Sequence, residues 1–238
     1  MMIEKTFSDA IEEVMLHNGY YAPLQVIYKE FEKYRWKTGL TPDKTIQERV
    51  QRDQRFTKIW LWVYALTEYL EKLPKEWETK TEKQKEVRKH SHMQWMLIEI
   101  WNMEWYKTYT PDINWIFINR ELWKITTLST IPRFTYDHII DSSIRFVDVI
   151  WFNERWFPAR LFEVENSTDF RAWFIKFNEI QDFRADFHFV ASEPRKQKFE
   201  TERNKASFSA IQERCGFMNY EFVEWWYNNK LNGKRFSI

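Results

Sequence analysis

The chain has 238 residues, of which 44% are hydrophobic and 30% charged, and this balance excludes an intrinsically disordered protein. Its formal net charge of +1 excludes a general attraction to nucleic acid, so any nucleic-acid surface must be local. The single cysteine, Cys215, excludes an internal disulfide, and no segment approaches the ~18 apolar residues of a membrane span, so we expect a cytoplasmic protein with no membrane contact.

Three helices are predicted near the start of the chain. The first begins at Thr6 or Ser8 and ends at Gly19, and four of its apolar residues recur at helical spacing: Ala10, Ile11, Val14 and Met15. The segment PLQVIYKEFEKYRWKTG predicts a second helix. The segment TPDKTIQERVQRDQ predicts a third helix that is mostly polar and begins at a Thr-Pro pair.

Two short strands, RFTKIW and WVYALTEYL, are predicted next, the second running into a helical tail. Three helices and a hairpin match the winged helix-turn-helix plan, whose third helix commonly enters a DNA groove. Nine basic and five acidic residues lie in the range 29–58, a local charge of +4. The alternative is a polar helix that is merely exposed. The candidate DNA-binding residues are Lys44, Gln47, Arg49, Gln51, Arg52 and Arg55.

Residues 7–72 closely resemble the HARE-type winged helix-turn-helix family, through TP..TIQERVQRD.RF followed by VYAL. The resemblance implies a DNA-binding domain over residues 1–73, of a kind found fused to DNA-modifying and DNA-cleaving modules. One departure is the hairpin tip WLW, residues 60–62, where relatives usually carry glycine. This leaves the shape of the wing open.

A highly charged segment, residues 74–89, separates this domain from a second one at residues 90–238 and predicts a linker or a solvated helix. The second domain opens with HSHMQWMLIEIWNMEW, an apolar-periodic helix that carries Gln94. His90 and His92 stand far in sequence from Cys215, so we interpret them as surface residues or neighbours of a site rather than metal ligands.

Two β-rich runs, residues 146–152 and 159–164, flank the turn NERW. A hairpin centred between Arg155 and Trp156 would place Asp148 opposite Glu163, and the two-residue period of a strand would place Glu165 on the same face. Three converging carboxylates suit Mg²⁺, with Mn²⁺ as a substitute. The alternative is an exposed edge strand whose acidic residues face solvent.

Asp148 followed by Glu163-Val164-Glu165 resembles the D…(D/E)-x-K core of the PD-(D/E)XK nuclease superfamily, with Glu in place of the usual Lys. The ordered segments HMQWMLIEIW, FVDVIWFNERWFP, FEVENSTDF, IKFNEIQDF and FVASEPRKQKF resemble bacterial restriction-endonuclease-like domains. The resemblance implies that Asp148, Glu163 and Glu165 bind the metal. It also implies that Gln94 joins the site from its helix.

The resemblance also raises the question of what replaces the lysine. Residues 166–168 are predicted to cap a helix over residues 169–181, from which Lys176 would reach back to the site. The alternative for Lys176 is an ordinary surface lysine. A run of basic residues after the predicted strand DFHFVAS offers phosphate contacts: Arg195, Lys196, Lys198 and Arg203.

These observations predict an α/β (α+β) protein with an N-terminal winged helix-turn-helix and a C-terminal restriction-endonuclease-like core, whose mixed sheet is flanked by helices. The expected activity is Mg²⁺-dependent cleavage of double-stranded DNA by a restriction enzyme. A homodimer is expected, because a duplex needs two cuts. Two alternatives stay open: an inactive DNA-binding regulator on a nuclease fold, and a nuclease that reads a modified base with its aromatic residues.

Overall fold

The computed structural model describes residues 5–36, 39, 42–60, 62–73, 82–104, 106–112, 116–117, 120–122, 125–166 and 169–234. The chain divides into two compact units, residues 1–80 and 81–238, and each is described by itself. Helices and a mixed sheet occur together, which confirms the predicted α+β class. In the described ranges, no helix combines the length and the apolar character needed to cross a membrane.

The first unit packs three helices against an antiparallel sheet of strand order β1-β3-β2. Its elements are α1 (Phe7–His17), β1 (Tyr21–Pro23), α2 (Leu24–Glu30), α3 (Pro42–Arg52), β2 (Phe56–Trp60) and β3 (Val63–Leu66). A capping box starts α1, in which the Asp9 N–H donates to Thr6 Oγ1 and the Thr6 N–H donates to the Asp9 carboxylate. The four predicted apolar residues of α1 are buried, as expected.

Two details of the first unit differ from the sequence expectation. Strand β1 was not predicted, because three residues are too few to show a period, and α2 gives way after Glu30 to a single 3-10 turn, Phe31–Lys33. The hairpin tip keeps a backbone conformation that suits the glycine usual in relatives. Trp62 takes a φ of 59°, the left-handed conformation that glycine adopts most easily.

The second unit is built on a five-stranded sheet of order β10-β9-β8-β7-β4. Strands β8, β9 and β10 run parallel, while β7 pairs antiparallel with both β8 and β4. The elements are α4 (Glu82–Asn102), β4 (Lys107–Tyr109), β5 (Ile116–Phe117), β6 (Arg120–Glu121), α5 (Asp137–Ser142), β7 (Val149–Phe152), β8 (Pro158–Glu165), α6 (Phe170–Asn178), β9 (Asp186–Ala191), α7 (Lys196–Arg203), β10 (Cys215–Asn219) and α8 (Tyr220–Lys234).

Aromatic side chains pack the helices against both faces of this sheet. On the face covered by α4 and α8, the Trp151 ring stacks on Trp101 at 4.1 Å between centroids and contacts Phe162. On the face covered by α6, Phe174 stacks on Phe189 at 4.7 Å. Helix α6 buries Phe170, Phe174 and Phe177 because they recur every three or four residues along one side. These layers exclude water from the middle of the sheet.

Residues 82–89, expected to be a linker or a solvated helix, form the first turns of α4, which agrees with the helix alternative, whereas 74–81 lie outside the described residues. Two other sequence expectations for the second unit need correction. Helix α6 is capped by Asp169 and ends at Asn178, and the expected capping residues 167 and 168 are likewise outside the description. The hairpin turn is centred one half-residue earlier than expected, because Phe152 pairs with Pro158 and a bulge follows.

Candidate active site

The β7–β8 hairpin brings Asp148 and Glu163 together. Val149 pairs with Phe162 and Trp151 with Arg160, so the strands have the predicted register and Asp148 lies opposite Glu163. The Asp148 N–H donates to Glu163 Oε1 at 3.2 Å, and the Val164 N–H donates to Asp148 Oδ2 at 2.7 Å. Backbone hydrogen bonds therefore hold two carboxylates at the end of the hairpin.

Strand β8 is not at an edge, so the edge-strand alternative is wrong. It lies between β7 and β9, and its acidic side chains are buried, Glu163 at 1% and Glu165 at 3% exposure. Burial raises the pKa of Glu163 well above its ordinary value, and the neighbouring charges of Asp148 and Glu165 add to the shift. The charge of Lys176 opposes this shift. Such a group favours either a proton or a bound cation.

Glu165 has a cationic neighbour that the sequence did not reveal as one. Arg195 Nη1 lies 3.7 Å from Glu165 Oε2, in the short turn that follows β9. The guanidinium of Arg195 also lies over the Phe170 ring, 4.5 Å from its centroid. On the other side, the Tyr220 hydroxyl donates to the backbone oxygen of Glu165 at 3.3 Å. The positive charge of Arg195 therefore offsets part of the negative charge on β8.

Two side chains of helix α4 contact the Asp148 carboxylate. His90 Nε2 lies 3.1 Å from Asp148 Oδ2, and Gln94 Nε2 donates to Asp148 Oδ1 at 3.1 Å and to Asp112 Oδ2 at 2.6 Å. His90 and Gln94 are four residues apart, so they project from the same side of the helix. One ligand atom each from His90, Asp112 and Asp148 lies within 4.8 Å of the other two, a spacing that a metal ion could bridge.

The two histidines of α4 have different surroundings. Burial lowers the pKa of His90, but its hydrogen bond to Asp148 and the charges of Asp148 and Asp112 outweigh burial and raise it overall. His92 is buried rather than on the surface, and burial lowers its pKa to about 3. The contact of His90 with Asp148 agrees with its interpretation as a neighbour of a site, whereas Asp112 was missed from the sequence. The four-residue spacing of His90 and Gln94 was a usable signal, whereas Asp112 lies in a loop without a pattern.

Two lysines that the sequence predicted near the site have the following positions. Lys176 Nζ lies over the Trp173 ring at 4.0 Å and over the Phe146 ring at 5.5 Å. Lys198 pairs with Asp169, the residue that caps α6, at 3.6 Å. Whether these lysines contact a substrate stays a prediction.

In the first unit, Lys44, Arg49 and Arg52 are exposed on α3, and Arg52 Nη1 bonds Glu48 Oε1 at 2.7 Å. Gln51 hydrogen-bonds Tyr64, and Gln47 is half-buried. Arg55 bonds three carboxylates, those of Asp9, Glu12 and Asp53. The hydrogen bond from Arg55 lowers the pKa of Asp53 to about 2. Arg55 therefore ties α1 to the segment that follows α3.

Comparison with known proteins gives one family. The model of the family described as "Type II restriction enzyme NmeDI C-terminal domain" matches residues 72–235. No curated protein and no solved structure matches the chain. The matched range contains both sides of the site, α4 with His90 and Gln94 and the hairpin with Asp148 and Glu163.

Proposed function

This chain belongs to the type II restriction enzyme NmeDI C-terminal domain family, and from that premise we propose that it is a divalent-cation-dependent endonuclease acting on double-stranded DNA. The observation that carries the proposal is the buried acidic cluster of Asp148, Glu163 and Glu165 at the end of the hairpin. Buried negative charges that are only partly offset are costly, and acidic side chains gathered in this way are typical of cation sites.

The donor set fits the hard cation Mg²⁺, with Mn²⁺ as a substitute, since carboxylate oxygens are the ligands that Mg²⁺ takes in phosphate-processing sites. Asp148 and Glu163 would hold the cation, with Glu165 beside them. When bound, the cation would offset charge on the phosphate and make an attacking water more acidic.

The chain's own cations have separate roles in this proposal. Arg195 holds Glu165 in place and lies where it could also bind a phosphate oxygen. Lys176 is a second cation near the site, because its charge lowers the pKa of Glu163. Lys198 would contact the DNA backbone farther along α7.

We further propose that the first unit is a winged helix-turn-helix DNA-binding domain of the HARE type. Its support is the order helix, strand, helix, helix, strand, strand, together with the exposed basic residues Lys44, Arg49 and Arg52 on α3. A homodimer in the cytoplasm would place two sites on one duplex.

A catalytically inactive DNA-binding regulator is the second candidate function. The Glu165–Arg195 pair favours it, because an acidic residue occupies the position where active relatives of the superfamily usually carry lysine. The two functions differ in a single observable, the cleavage of DNA.

The test is incubation of the purified chain with plasmid DNA and with phage DNA that contains modified cytosines, in Mg²⁺ and in EDTA. We expect cleavage of at least one substrate in Mg²⁺, none in EDTA, and none with Glu163→Gln. The matched control is Glu154→Gln, which alters an exposed glutamate of the same hairpin and should cleave like the wild type. Binding without cleavage in every condition would instead support the regulator.

A further inference from the structure

We propose that the Phe146 ring, beside the acidic cluster of the hairpin, stacks on an unpaired DNA base next to the phosphate that is cut, and that Lys176 binds the backbone of that nucleotide. This inference rests on the proposed endonuclease function and adds the form of the DNA at the site, a strand with one base outside the double helix. Phe146 ends the 3-10 turn Ile144–Phe146, which leads into β7 two residues before Asp148.

The exposure of Phe146 is a fixed feature of this turn. Its side chain is 50% exposed, although its neighbours along the chain, Ile144 and Val147, are each 1% exposed and pack in the core. The Ser143 hydroxyl donates to the Glu179 carboxylate and so joins the start of the turn to α6. A large apolar ring is therefore held at the surface, where it can contact a partner.

Two cations flank the ring. Lys176 Nζ lies 5.5 Å from the Phe146 centroid and 4.0 Å from the centroid of Trp173, a partly exposed ring of α6. The Arg145 guanidinium also lies 5.5 Å from the Phe146 centroid. In the described residues, Lys176 has no carboxylate within ion-pairing distance, and Arg145 pairs with exposed Asp141 at 3.4 Å. Exposed pairs contribute little to stability, so both cations can turn to a phosphate.

This combination of rings and cations fits a DNA strand whose base is accessible. Surfaces that bind single-stranded DNA place aromatic rings against bases and cations against phosphates. A cation–π contact at the surface is weak, whereas a hydrogen bond from an ammonium group to a phosphate is charge-assisted and stronger. On binding DNA, Lys176 and Arg145 would therefore move from the Phe146 ring to the backbone, which uncovers the ring for a base.

The position of the ring sets the form of the DNA and the place of the nucleotide. Within a double helix, neighbouring base pairs cover the faces of each base, so a ring on the protein surface can stack on a base that has left the helix. The charge of Lys176 opposes the raised pKa of Glu163, which places this lysine near the acidic cluster. The stacked nucleotide is therefore adjacent to the phosphate that the cluster would cut.

The test measures the affinity of full-length Glu163→Gln, in EDTA, for two fluorescent probes: a DNA duplex, and the same duplex with one extra, unpaired thymine. We expect the unpaired thymine to strengthen binding about tenfold, within the range that stacking of one base on an aromatic side chain contributes. Adding Phe146→Leu, which keeps an apolar side chain but removes the ring, should abolish this preference, whereas Phe146→Trp should retain it. The matched control is Phe157→Leu at the tip of the hairpin, a 41% exposed phenylalanine with Arg155 beside it, which should leave the preference unchanged.

Two further measurements separate the contact of the base from that of the backbone. Lys176→Gln should weaken the binding of both probes and reduce the slope of log affinity against log salt by about 1, because a phosphate contact is lost. When 5-iododeoxyuridine replaces the unpaired thymine, irradiation with long-wavelength ultraviolet light should cross-link it to Phe146, as located by mass spectrometry. The Phe146→Leu variant should give no cross-link at this position.

Equal affinity of Glu163→Gln for the two probes, a preference that survives Phe146→Leu, or a cross-link at another residue would overturn the stacking contact. An unchanged salt slope for Lys176→Gln would overturn the backbone contact. Failure of the proposed function looks different. If the wild type cleaves no DNA in Mg²⁺ while Phe146→Leu still abolishes the preference, the endonuclease is discarded and the stacking contact stays. Cleavage by the wild type, with both probes bound equally, would keep the endonuclease and discard the stacking contact.

Discussion

Glu163 and Glu165 lie two residues apart on β8, and their side chains share one face of a strand with neighbours on both sides. The two glutamates have different neighbours. Glu165 has Arg195 beside it, whereas Glu163 accepts a backbone N–H and has a raised pKa. Glu163 is therefore the residue whose charge most needs a bound cation.

The raised pKa of Glu163 predicts a pH dependence of stability. Without a cation, folded Glu163 keeps its proton to a higher pH than the unfolded chain does, so its contribution is complete below the ordinary value of 4.5 and is lost as the pH rises through the raised value. In EDTA, the melting temperature of the wild type should therefore fall with pH relative to Glu163→Gln, which resembles the protonated form. Thermal unfolding of both variants over this range measures the difference, and parallel curves would contradict the assignment.

The Glu165–Arg195 pair predicts a loss of stability when its cation is removed. Arg195→Ala leaves Glu165 buried without its neighbour, which should cost about 3 kcal/mol in the free energy of unfolding. Urea unfolding measures this change in the free energy of unfolding. The control is Arg184→Ala, which removes an exposed arginine of the same unit. The additional change Glu165→Gln should restore most of the loss. A double variant as unstable as Arg195→Ala would mean that the two residues do not interact.

At the scale of the elements, the β7–β8 hairpin is where sequence reasoning succeeded most. The register followed from an assumed hairpin centre at the turn NERW, and the two-residue period of β8 placed Glu163 and Glu165 on one face. The centre of the turn could not be predicted correctly, because the bulge after Pro158 leaves no mark in the pattern. Helix α4 was predicted as an apolar helix carrying Gln94, but its charged first turns were compatible with either a linker or a solvated helix.

The prediction for DNA binding concerns helix α3. Exposed Arg49 should contact a phosphate, so Arg49→Ala is expected to weaken binding for all sequences and to reduce the slope of log affinity against log salt by about 1. Fluorescence anisotropy in EDTA, in the Glu163→Gln background, measures binding without cleavage. Lys33→Ala, which removes a lysine paired with Glu30, is the control. An unchanged salt slope for Arg49→Ala would exclude α3 as the DNA-contacting helix.

At the scale of the whole molecule, the family match covers the second unit and the last residues of the first. Sequence patterns predicted the α+β class and most elements, because apolar periodicity reports burial directly. They did not reveal Asp112 or the pairing of Glu165 with Arg195. Both depend on contacts between distant segments, and no local spacing encodes these. We propose that the buried carboxylates of the chain hold a divalent cation.

The most direct test of that claim is the melting temperature of the full-length chain as Mg²⁺ is added. Binding to the folded state alone stabilises it by about 2.7 kcal/mol at 100 times the dissociation constant. We expect a saturable rise in melting temperature for the wild type and for Glu154→Gln, and a much smaller rise for Glu163→Gln. In EDTA, Glu163→Gln should be at least as stable as the wild type. A full rise in Glu163→Gln would contradict the account.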